Sequence, residues 1–554
     1  MLEGERSYQR GQENLVPSNN ASPAPENPVI PKAQENPWYI RHFIKLLIGF
    51  GLGGGAVAIL LPWVLWLHCG MSSGSSDQLR LHLLYVTGGI IAVLTLLQTN
   101  WKNQGDRLKI DADIKKNEQD AEKNERDHFR QVHAERRSRY TKAVEQLADE
   151  KATVRLGGIY TLVGLVDEWL ADDTLNPEEQ QKEGQVIVNN LCSYIRSPFP
   201  LAEKVEEYEA RNELEELKKK ESKSLSPLDS LRLMILNKRF TETNDEKKIE
   251  QITAGYAKIQ EEQDVRRTIF AEMSKRSSTF VKDKIGKVIG TFPGMWSGFD
   301  FDFSRAPIFY PLNAITIEKG NFSSAKFYGN ADFRGATFTQ SANFSGATFA
   351  QIANFSRATF TQYAGFSGAT FAQTANFSGA TFAQIANFSR ATFTQYAGFS
   401  GANFTQIANF SRVAFTQYAS FNWATFTQTA DFNRATFTQT ANFNRATFTQ
   451  TANFSGAAFT QTANYSNATF SAASPKFVET LEISGETFRA RFTALPAGQE
   501  AHNFAVYEGS QPILLGTAGL NGVGYRIPVG TVLFDPSSWD ERQKEYTRLS
   551  EPAQ

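Results

Sequence analysis

A phrase of eleven residues is written fourteen times between residues 320 and 473, without insertion or deletion. Phenylalanine recurs alternately five and six residues apart and fills 27 of the 28 positions of this series, Tyr465 being the exception. Alanine lies two residues before the aromatic residue at 26 of the 28 positions. A period kept this strictly is typical of a repeat architecture, so it constrains the fold more than any other feature of the chain.

The repeat predicts short strands rather than a helix. An eleven-residue period also occurs in right-handed helical supercoils. In a helix, however, phenylalanines five and six residues apart would point to different sides, and no single apolar stripe would form. In an extended chain, residues two apart share a face, so the Ala and Phe of each triplet point the same way. Each unit is therefore expected to be a short strand followed by a corner.

The motifs A-N-F-S-G and A-D-F-R-G within this segment resemble the pentapeptide repeat family. The resemblance implies a right-handed quadrilateral β-solenoid in which the large apolar residue and the small residue two before it point inward. The family repeats every five residues, whereas this chain alternates five and six. One coil is therefore expected to take about 22 residues, with fuller corners at two opposite edges.

Two apolar segments near the N-terminus predict a transmembrane hairpin within residues 42–101. Residues 46–67 carry no charge and are long enough to span a bilayer, and a second apolar segment covers about 81–99. Arg41 and Lys45 precede the first segment, and only Arg80 lies in the connection. The basic residues that follow the second segment are Lys102, Arg107, Lys109, Lys115 and Lys116. The positive-inside rule then predicts a multi-pass protein of the cell inner membrane, in contact with the lipid bilayer, with both termini cytoplasmic.

Composition divides the rest of the N-terminal half into three parts. Residues 1–41 are rich in Pro, Asn, Gln, Ser and Glu, which predicts a disordered tail. Residues 102–149 are strongly charged and predict a helical stalk, whereas apolar helical periodicity over 150–299 predicts a cytoplasmic helical domain. Its phrases R-L-G-G-I-Y and C-x-Y-I-R-S-P resemble the helical region before the repeats in membrane-anchored bacterial pentapeptide-repeat proteins.

The ends of the solenoid are expected to be covered, because a repeat array must hide its first and last layers. Residues 300–319 include a degenerate copy of the repeat and predict an N-terminal cap. The strict pattern stops after residue 473. Short strand-like runs within 474–554 predict a small C-terminal β cap, and Ser537 and Asp540 suit the start of a terminal helix. The predicted fold class is an α+β multidomain membrane protein.

The sequence carries no motif typical of an enzyme or a metal site. Its six histidines are scattered, and it contains no H-E-x-x-H, paired C-x-x-C, phosphate-binding loop or G-x-S-x-G motif. Two cysteines exclude a disulfide scaffold, and a net charge of -1 gives no bulk attraction to nucleic acid. We therefore expect no catalysis, no cofactor, no metal and no nucleic-acid partner.

The candidate interaction surface lies on the solenoid, which carries seven basic against two acidic side chains, a balance of +5. Arg390, Arg412 and Arg434 are 22 residues apart, so they should stack in successive coils about 5 Å apart. Such a column repels itself unless an acidic partner or a phosphate group lies across it; the alternative is ordinary solvated arginines. By the same spacing, Tyr396 and Tyr418 should stack at a corner as a second contact site.

These features predict a membrane-tethered scaffold that presents the solenoid to an unknown protein partner, which the arginines suggest is acidic. One alternative is a DNA mimic that interacts with topoisomerases, as in some members of the family. The basic solenoid disfavours it, because mimicry of DNA requires an acidic surface. A second alternative is ice binding through T-x-T triplets such as Thr337 and Thr339. The predicted cytoplasmic position disfavours this use, and Thr is also a good strand residue.

Overall fold

The chain divides into two compact units, Met1–Val132 and His133–Gln554. The computed structural model describes residues 37–220, 226–240, 246–282, 288–312, 319–482, 484–495, 501–542 and 545–554. Most of the predicted disordered tail lies outside the described residues. Its end, Trp38–Arg41, forms the short helix α1, so the prediction of disorder is wrong for these four residues.

Two apolar helices dominate the first unit: α2 spans Phe43–Cys69 and α3 spans Ser73–Leu147. Both are long and apolar enough to cross a membrane, judged by length and composition. A side chain at Gly54 would collide with Thr87, so the two helices pack closely at this point. The stalk predicted as a separate element is the continuation of the second apolar segment, because α3 runs through both without a break.

The second unit begins with a helical domain around a buried apolar core. Its helices are α4 (Ala152–Leu170), α5 (Pro177–Arg196), α6 (Val205–Lys219), α7 (Pro227–Arg239) and α8 (Glu246–Ser277), with a 3-10 turn at Pro200–Lys204. Helix α5 is capped by Asn176, whose side chain accepts a hydrogen bond from the backbone amide of Glu179 at 2.9 Å. The predicted helical domain also contains an antiparallel strand pair, Ser278–Lys282 with Val288–Pro293, which helical periodicity did not indicate.

The repeats form four parallel sheets, each taking one strand from every coil. Residues 22 apart lie side by side, as Phe349, Phe371 and Phe393 do, so seven coils of 22 residues are confirmed. We call the sheets walls 1 to 4 in the order in which the chain meets them. Wall 1 contains Phe301–Asp302, Gly320–Asn321, Ala342–Asn343, Ala364–Gly365, Ala386–Asn387, Ala408–Asn409, Ala430–Asp431 and Ala452–Asn453.

The other walls follow the same register. Wall 2 contains Pro307–Ile308, Lys326–Phe327, Thr348–Phe349, Thr370–Phe371, Thr392–Phe393, Ala414–Phe415, Thr436–Phe437, Ala458–Phe459, Arg491–Thr493 and Val532–Phe534. Wall 3 contains Ala331–Asp332, Ala353–Asn354, Ala375–Asn376, Ala397–Gly398, Ala419–Ser420, Ala441–Asn442 and Ala463–Asn464. Wall 4 contains Thr337–Phe338, Thr359–Phe360, Thr381–Phe382, Asn403–Phe404, Thr425–Phe426, Thr447–Phe448 and Thr469–Phe470.

Stacked phenylalanines fill the interior, as predicted. The ring of Phe388 lies 4.8 Å from that of Phe366 below it and 4.9 Å from that of Phe410 above it, nearly parallel to both. Neighbouring columns meet edge to face, as Phe377 and Phe388 do at 5.3 Å. The alanines two residues before each ring, such as Ala386, are also fully buried. Stacked and edge-to-face contacts are both favourable for aromatic rings, so the columns support one another.

The N-terminal end of this aromatic core is closed by the helical domain. The predicted cap residues Phe301–Asp302 and Pro307–Ile308 join walls 1 and 2 as an incomplete coil. At this end of the core, Phe270 of α8 lies 4.4 Å from the ring of Phe303 and 6.5 Å from that of Phe322. The layer that hides the first coil therefore comes from a helix outside residues 300–319.

The C-terminal region adds an interrupted eighth layer to the solenoid. Phe477, Phe492 and Phe504 continue three of the aromatic columns at 5.5, 4.9 and 6.0 Å from the rings beneath them. Its remaining strands are Val478–Thr480 with Thr487–Arg489 and Leu515–Leu520 with Val523–Pro528. The predicted terminal helix is wrong: after a 3-10 turn at Pro536–Ser538, Trp539–Asp540 pairs with Glu545–Tyr546 as antiparallel strands.

Candidate interaction surface

Each A-N-F-S unit is followed by a turn in which one residue adopts a left-handed backbone. In the unit that begins at Ala353, the side chain of Asn354 accepts a hydrogen bond from the backbone of Ser356 at 3.0 Å. The amide of Ala358 donates to the carbonyl of Phe355 at 3.0 Å. The residue between, Arg357, has φ of 57°. The aligned position is glycine or arginine in most units, so the arginines occupy positions that favour glycine.

The predicted arginine column lies at the edge between walls 1 and 2. Arg390, Arg412 and Arg434 have φ values of 59°, 56° and 56°. Each follows a strand of wall 1 at the same offset, and those strands pair in register, so the three residues stack as predicted. Arg390 and Arg412 are exposed, and neither forms an ion pair within the described part of the chain.

Arg434 differs from the other two members of the column. Its guanidinium group lies 3.7 Å from the centre of the Phe488 ring, and the residue is half-buried. Its Nε atom has no hydrogen-bond partner among the residues that the structure describes. The arginine column therefore runs from open solvent at Arg390 to a covered position beside the C-terminal region.

The predicted tyrosine pair lies at the edge between walls 2 and 3. The rings of Tyr396 and Tyr418 are 5.9 Å apart and nearly parallel, with 6° between their planes. Tyr396 is 37% exposed, while Tyr418 is half-buried and its hydroxyl accepts a hydrogen bond from Asn442 in the next coil at 2.6 Å. The pair is therefore rigid and only partly accessible.

The two predicted groups border the same sheet. Wall 2 lies between the arginine edge and the tyrosine edge, and its outward positions there are Thr392, Ala414 and Thr436. We define the wall-2 face as wall 2 with its two edges, carrying Arg390, Arg412, Arg434, Tyr396 and Tyr418. This face offers a flat strip of small side chains between a cationic row and an aromatic row.

Sequence spacing missed two basic residues at the N-terminal end of the same face. Arg305 has φ of 60° and occupies the edge between walls 1 and 2, but the irregular segment before residue 320 breaks the 22-residue spacing. Lys326 is exposed at the outward position of wall 2. It lies three coils before Thr392, so the same spacing could have identified it. Both residues line a cleft of about 410 Å³ that Arg196 and Glu203 border.

Several threonine hydroxyls on the solenoid form hydrogen bonds with its own backbone. The hydroxyl of Thr405 donates to the carbonyl of Ala383 in the preceding coil at 2.7 Å, and Thr416 donates to Thr394 at 2.9 Å. Thr361, Thr394 and Thr460 make the same kind of bond. Of these five, Thr361 and Thr394 are the second threonine of a T-x-T triplet, so in these two triplets that hydroxyl is already bonded to the backbone.

Metal binding and nucleophilic catalysis by cysteine are two further kinds of chemistry that a site could support. No group of three His, Cys, Asp or Glu residues that could hold a metal ion occurs among the residues that the structure describes. Cys192 is buried, and burial raises the pKa of its thiol to about 12. A nucleophilic cysteine requires a thiolate, so Cys192 is inert at neutral pH.

Comparison with known families supports the resemblance for the solenoid. Residues 322–370, 356–403, 399–447 and 432–474 each match the family model described as pentapeptide repeats (9 copies). A pentapeptide-repeat solenoid is typically a non-catalytic scaffold, and such a scaffold fits a role in protein interaction. No curated protein matches the chain, and no solved structure matches it.

Proposed function

We propose that this chain, whose segment 322–474 matches pentapeptide repeats, is a membrane-tethered scaffold without catalytic activity that binds an acidic protein on its wall-2 face. The observation that carries the proposal is the stacking of Arg390 and Arg412 without a carboxylate partner among the described residues. Their mutual repulsion is relieved when an acidic surface lies across them. Such complementarity would also speed association with the partner.

The shape and chemistry of the wall-2 face support a protein as the partner. The face is rigid, because every coil is hydrogen-bonded to the next, and it is flat between its two edges. Tyrosine and arginine are the side chains that most often dominate protein interfaces. Tyr396 and Tyr418 are already held in place, so little side-chain entropy would be lost on binding.

The proposed tether consists of the apolar parts of α2 and α3. Arg41 and Lys45 precede α2 or lie at its start, and basic residues follow the apolar part of α3. By the positive-inside rule, these flanks favour a hairpin in the cell inner membrane with both termini in the cytoplasm. The scaffold would then hold its partner close to the membrane.

The two alternative functions have less support. A DNA mimic needs an acidic rod, whereas wall 2 and its arginine edge are basic. An ice-binding surface needs free threonine hydroxyls in regular rows, whereas Thr361 and Thr394, each the second threonine of a T-x-T triplet, donate to the backbone of the preceding coil. A supercoiling assay with purified gyrase tests the first alternative directly.

Site-specific crosslinking in cells tests the proposal. A photo-reactive residue is introduced at Tyr418 on the wall-2 face and, as a matched control, at Thr381 on wall 4. We expect a discrete crosslinked protein from position 418 and none from position 381. The same product from both positions would contradict a specific role for wall 2.

Charge reversal identifies the contribution of the arginines. Arg390→Glu with Arg412→Glu should abolish the product captured from position 418. The matched control is Arg357→Glu with Arg445→Glu, which changes two arginines with the same left-handed backbone at the edge between walls 3 and 4. Capture that survives reversal of Arg390 and Arg412 would show that the proposed electrostatic basis is wrong.

A further inference from the structure

A cleft of about 470 Å³ lies between the solenoid and the C-terminal region, and three arginines line it. Arg434 comes from the arginine column, and Arg489 and Arg491 come from two C-terminal strands. All three are half-buried. The remaining lining residues are Thr436, Gly456, Thr487, Phe488, Val532 and Leu549. The cleft therefore combines concentrated positive charge with an apolar lining.

Two of the arginines are fixed in position. The guanidinium of Arg434 is stacked on Phe488, which leaves its edge free to donate hydrogen bonds. Its Nε atom is buried and donates to no hydrogen-bond partner in the described part of the chain. Arg489 donates from Nη1 to the carbonyl of Gly530 at 2.9 Å. A site whose donors are already oriented loses little entropy when a ligand binds.

The described part of the chain supplies no carboxylate to these arginines, since none of the three forms an ion pair there. The nearby acidic groups have other partners. Glu479 pairs with Lys476 at 2.7 Å, and Asp431 accepts a hydrogen bond from the backbone of Asn433 at 3.0 Å. Three half-buried positive charges in one cleft repel one another, so an anion with several charges would stabilise them.

Gly456 keeps the cleft open. It occupies the position that follows Arg434 in the arginine column, with φ of 70°. A Cβ atom there would lie 3.1 Å from Cγ of Arg434 and 3.4 Å from Cβ of Phe488. A further arginine at this point would crowd both side chains, so the change to glycine leaves room above the stacked pair.

We propose that this cleft binds the diphosphate group of a small molecule. Phosphate oxygens accept paired hydrogen bonds from guanidinium groups, and a diphosphate carries enough charge to face three arginines. The volume lies within the range of small-ligand sites and exceeds what a diphosphate alone would fill. An organic group attached to the diphosphate would contact Val532 and Leu549. This site overlaps the C-terminal end of the wall-2 face, because Arg434 and Arg491 belong to wall 2 or its edge.

Calorimetry on the full chain in detergent micelles tests the assignment, with inorganic diphosphate as the probe. We expect saturable binding of one diphosphate per chain. Arg434→Gln and Arg491→Gln should each weaken the affinity at least tenfold. Arg491→Gln leaves the stack of Arg434 on Phe488 in place, so it separates loss of the ligand contact from local rearrangement. The matched control, Arg357→Gln, removes an arginine with the same left-handed backbone at the edge between walls 3 and 4, outside the cleft, and should bind as the unchanged protein does.

Three results would overturn the proposal. Absence of binding at millimolar diphosphate would exclude the site. An equal loss in Arg357→Gln would show diffuse attraction to the basic solenoid rather than a pocket. Citrate binding as tightly as diphosphate would show a general anion site and remove the assignment to phosphate. None of these results bears on capture of a protein at Tyr418, so this inference and the proposed function fail separately.

Discussion

The ring of Tyr396 lies across the backbone of Gly398, so that a Cβ atom at residue 398 would come within 2.7 Å of the ring carbon Cε1. Tyr363 and Gly365 show the same relationship at 2.8 Å. Where threonine or isoleucine replaces the tyrosine, the residue two positions later is Asn or Asp. The third tyrosine, Tyr418, is followed by the small residue Ser420, so each tyrosine is accompanied by Gly or Ser two positions later, and we infer that a steric contact couples the sizes of the two positions.

This contact predicts that Gly398→Asn destabilises the protein although asparagine is the usual residue there. The new side chain must displace the tyrosine ring, and overpacking of this kind costs about 1–3 kcal/mol. Tyr396→Thr combined with Gly398→Asn should recover most of that loss, because it reproduces the threonine and asparagine of the preceding coil. Urea denaturation of the two single variants and the double variant measures the coupling. Additive effects would refute the steric explanation.

The left-handed turns predict an unusual order of substitutions at Arg412. Its φ of 56° is strained for any residue with a side chain, and most for a β-branched one. Arg412→Gly should be neutral or stabilising by up to about 1 kcal/mol, whereas Arg412→Val should destabilise by about 1–2 kcal/mol. Midpoints of urea denaturation give both values.

Thr392 in the neighbouring strand of wall 2 provides the matched control for this prediction. A strand position favours valine and disfavours glycine, so Thr392→Val should be nearly neutral and Thr392→Gly should cost about 1 kcal/mol. The glycine variant should therefore be the more stable one at residue 412, and the valine variant the more stable one at residue 392. The same order at both sites would mean that the backbone at Arg412 is not the cause.

The strict period made much of the solenoid predictable from sequence. Once one coil takes 22 residues, the inward position of Phe388 and the stacking of Arg390 on Arg412 follow from counting. Counting also placed Tyr396 beside Tyr418. It could not show that Arg412 adopts a left-handed backbone, because that conformation depends on the hydrogen bonds of the whole turn.

The ends of the solenoid were less predictable, because contacts between distant segments determine them. Nothing in the local sequence of Phe270 indicates that it covers Phe303. The eighth layer was missed because a hairpin is inserted between Phe477 and Phe492. The predicted terminal helix fails for the same reason: Tyr546 stacks on Phe534 at 4.1 Å, and this contact favours a strand over the local helix signal.

The cover over the first coil yields a third prediction. Phe270 is fully buried against Phe303, Tyr310 and Phe322, so Phe270→Ala leaves a cavity at the end of the aromatic core. We expect a loss of about 3–5 kcal/mol in the free energy of unfolding. Phe270→Leu, which retains most of the apolar volume, should lose less. Urea denaturation followed by far-UV circular dichroism measures both, and equal losses would contradict cavity formation.

A buried ion pair in the helical domain makes the free energy of unfolding depend on pH. Burial alone would raise the pKa of the Asp172 carboxyl, but hydrogen bonds from Thr174 and the guanidinium of Arg136 outweigh it and hold the pKa well below its usual value of 3.8. Arg136 in turn lies 4.8 Å from the ring centre of Trp169. A carboxyl whose pKa is lowered by folding stabilises the protein above its unfolded pKa and loses that contribution as pH falls.

We therefore expect the contribution of Asp172 to be complete at pH 7 and to decline below about pH 4. Asp172→Asn should destabilise the protein at pH 7 by on the order of 2 kcal/mol, because the Arg136 guanidinium loses its nearest carboxylate and keeps only the longer contact with Glu168 at 3.7 Å. The variant should then lose less stability than the unchanged protein between pH 5 and pH 3. Urea denaturation followed by tryptophan fluorescence at each pH measures both effects. Parallel acid curves for the two proteins would show that Asp172 does not carry the pH dependence.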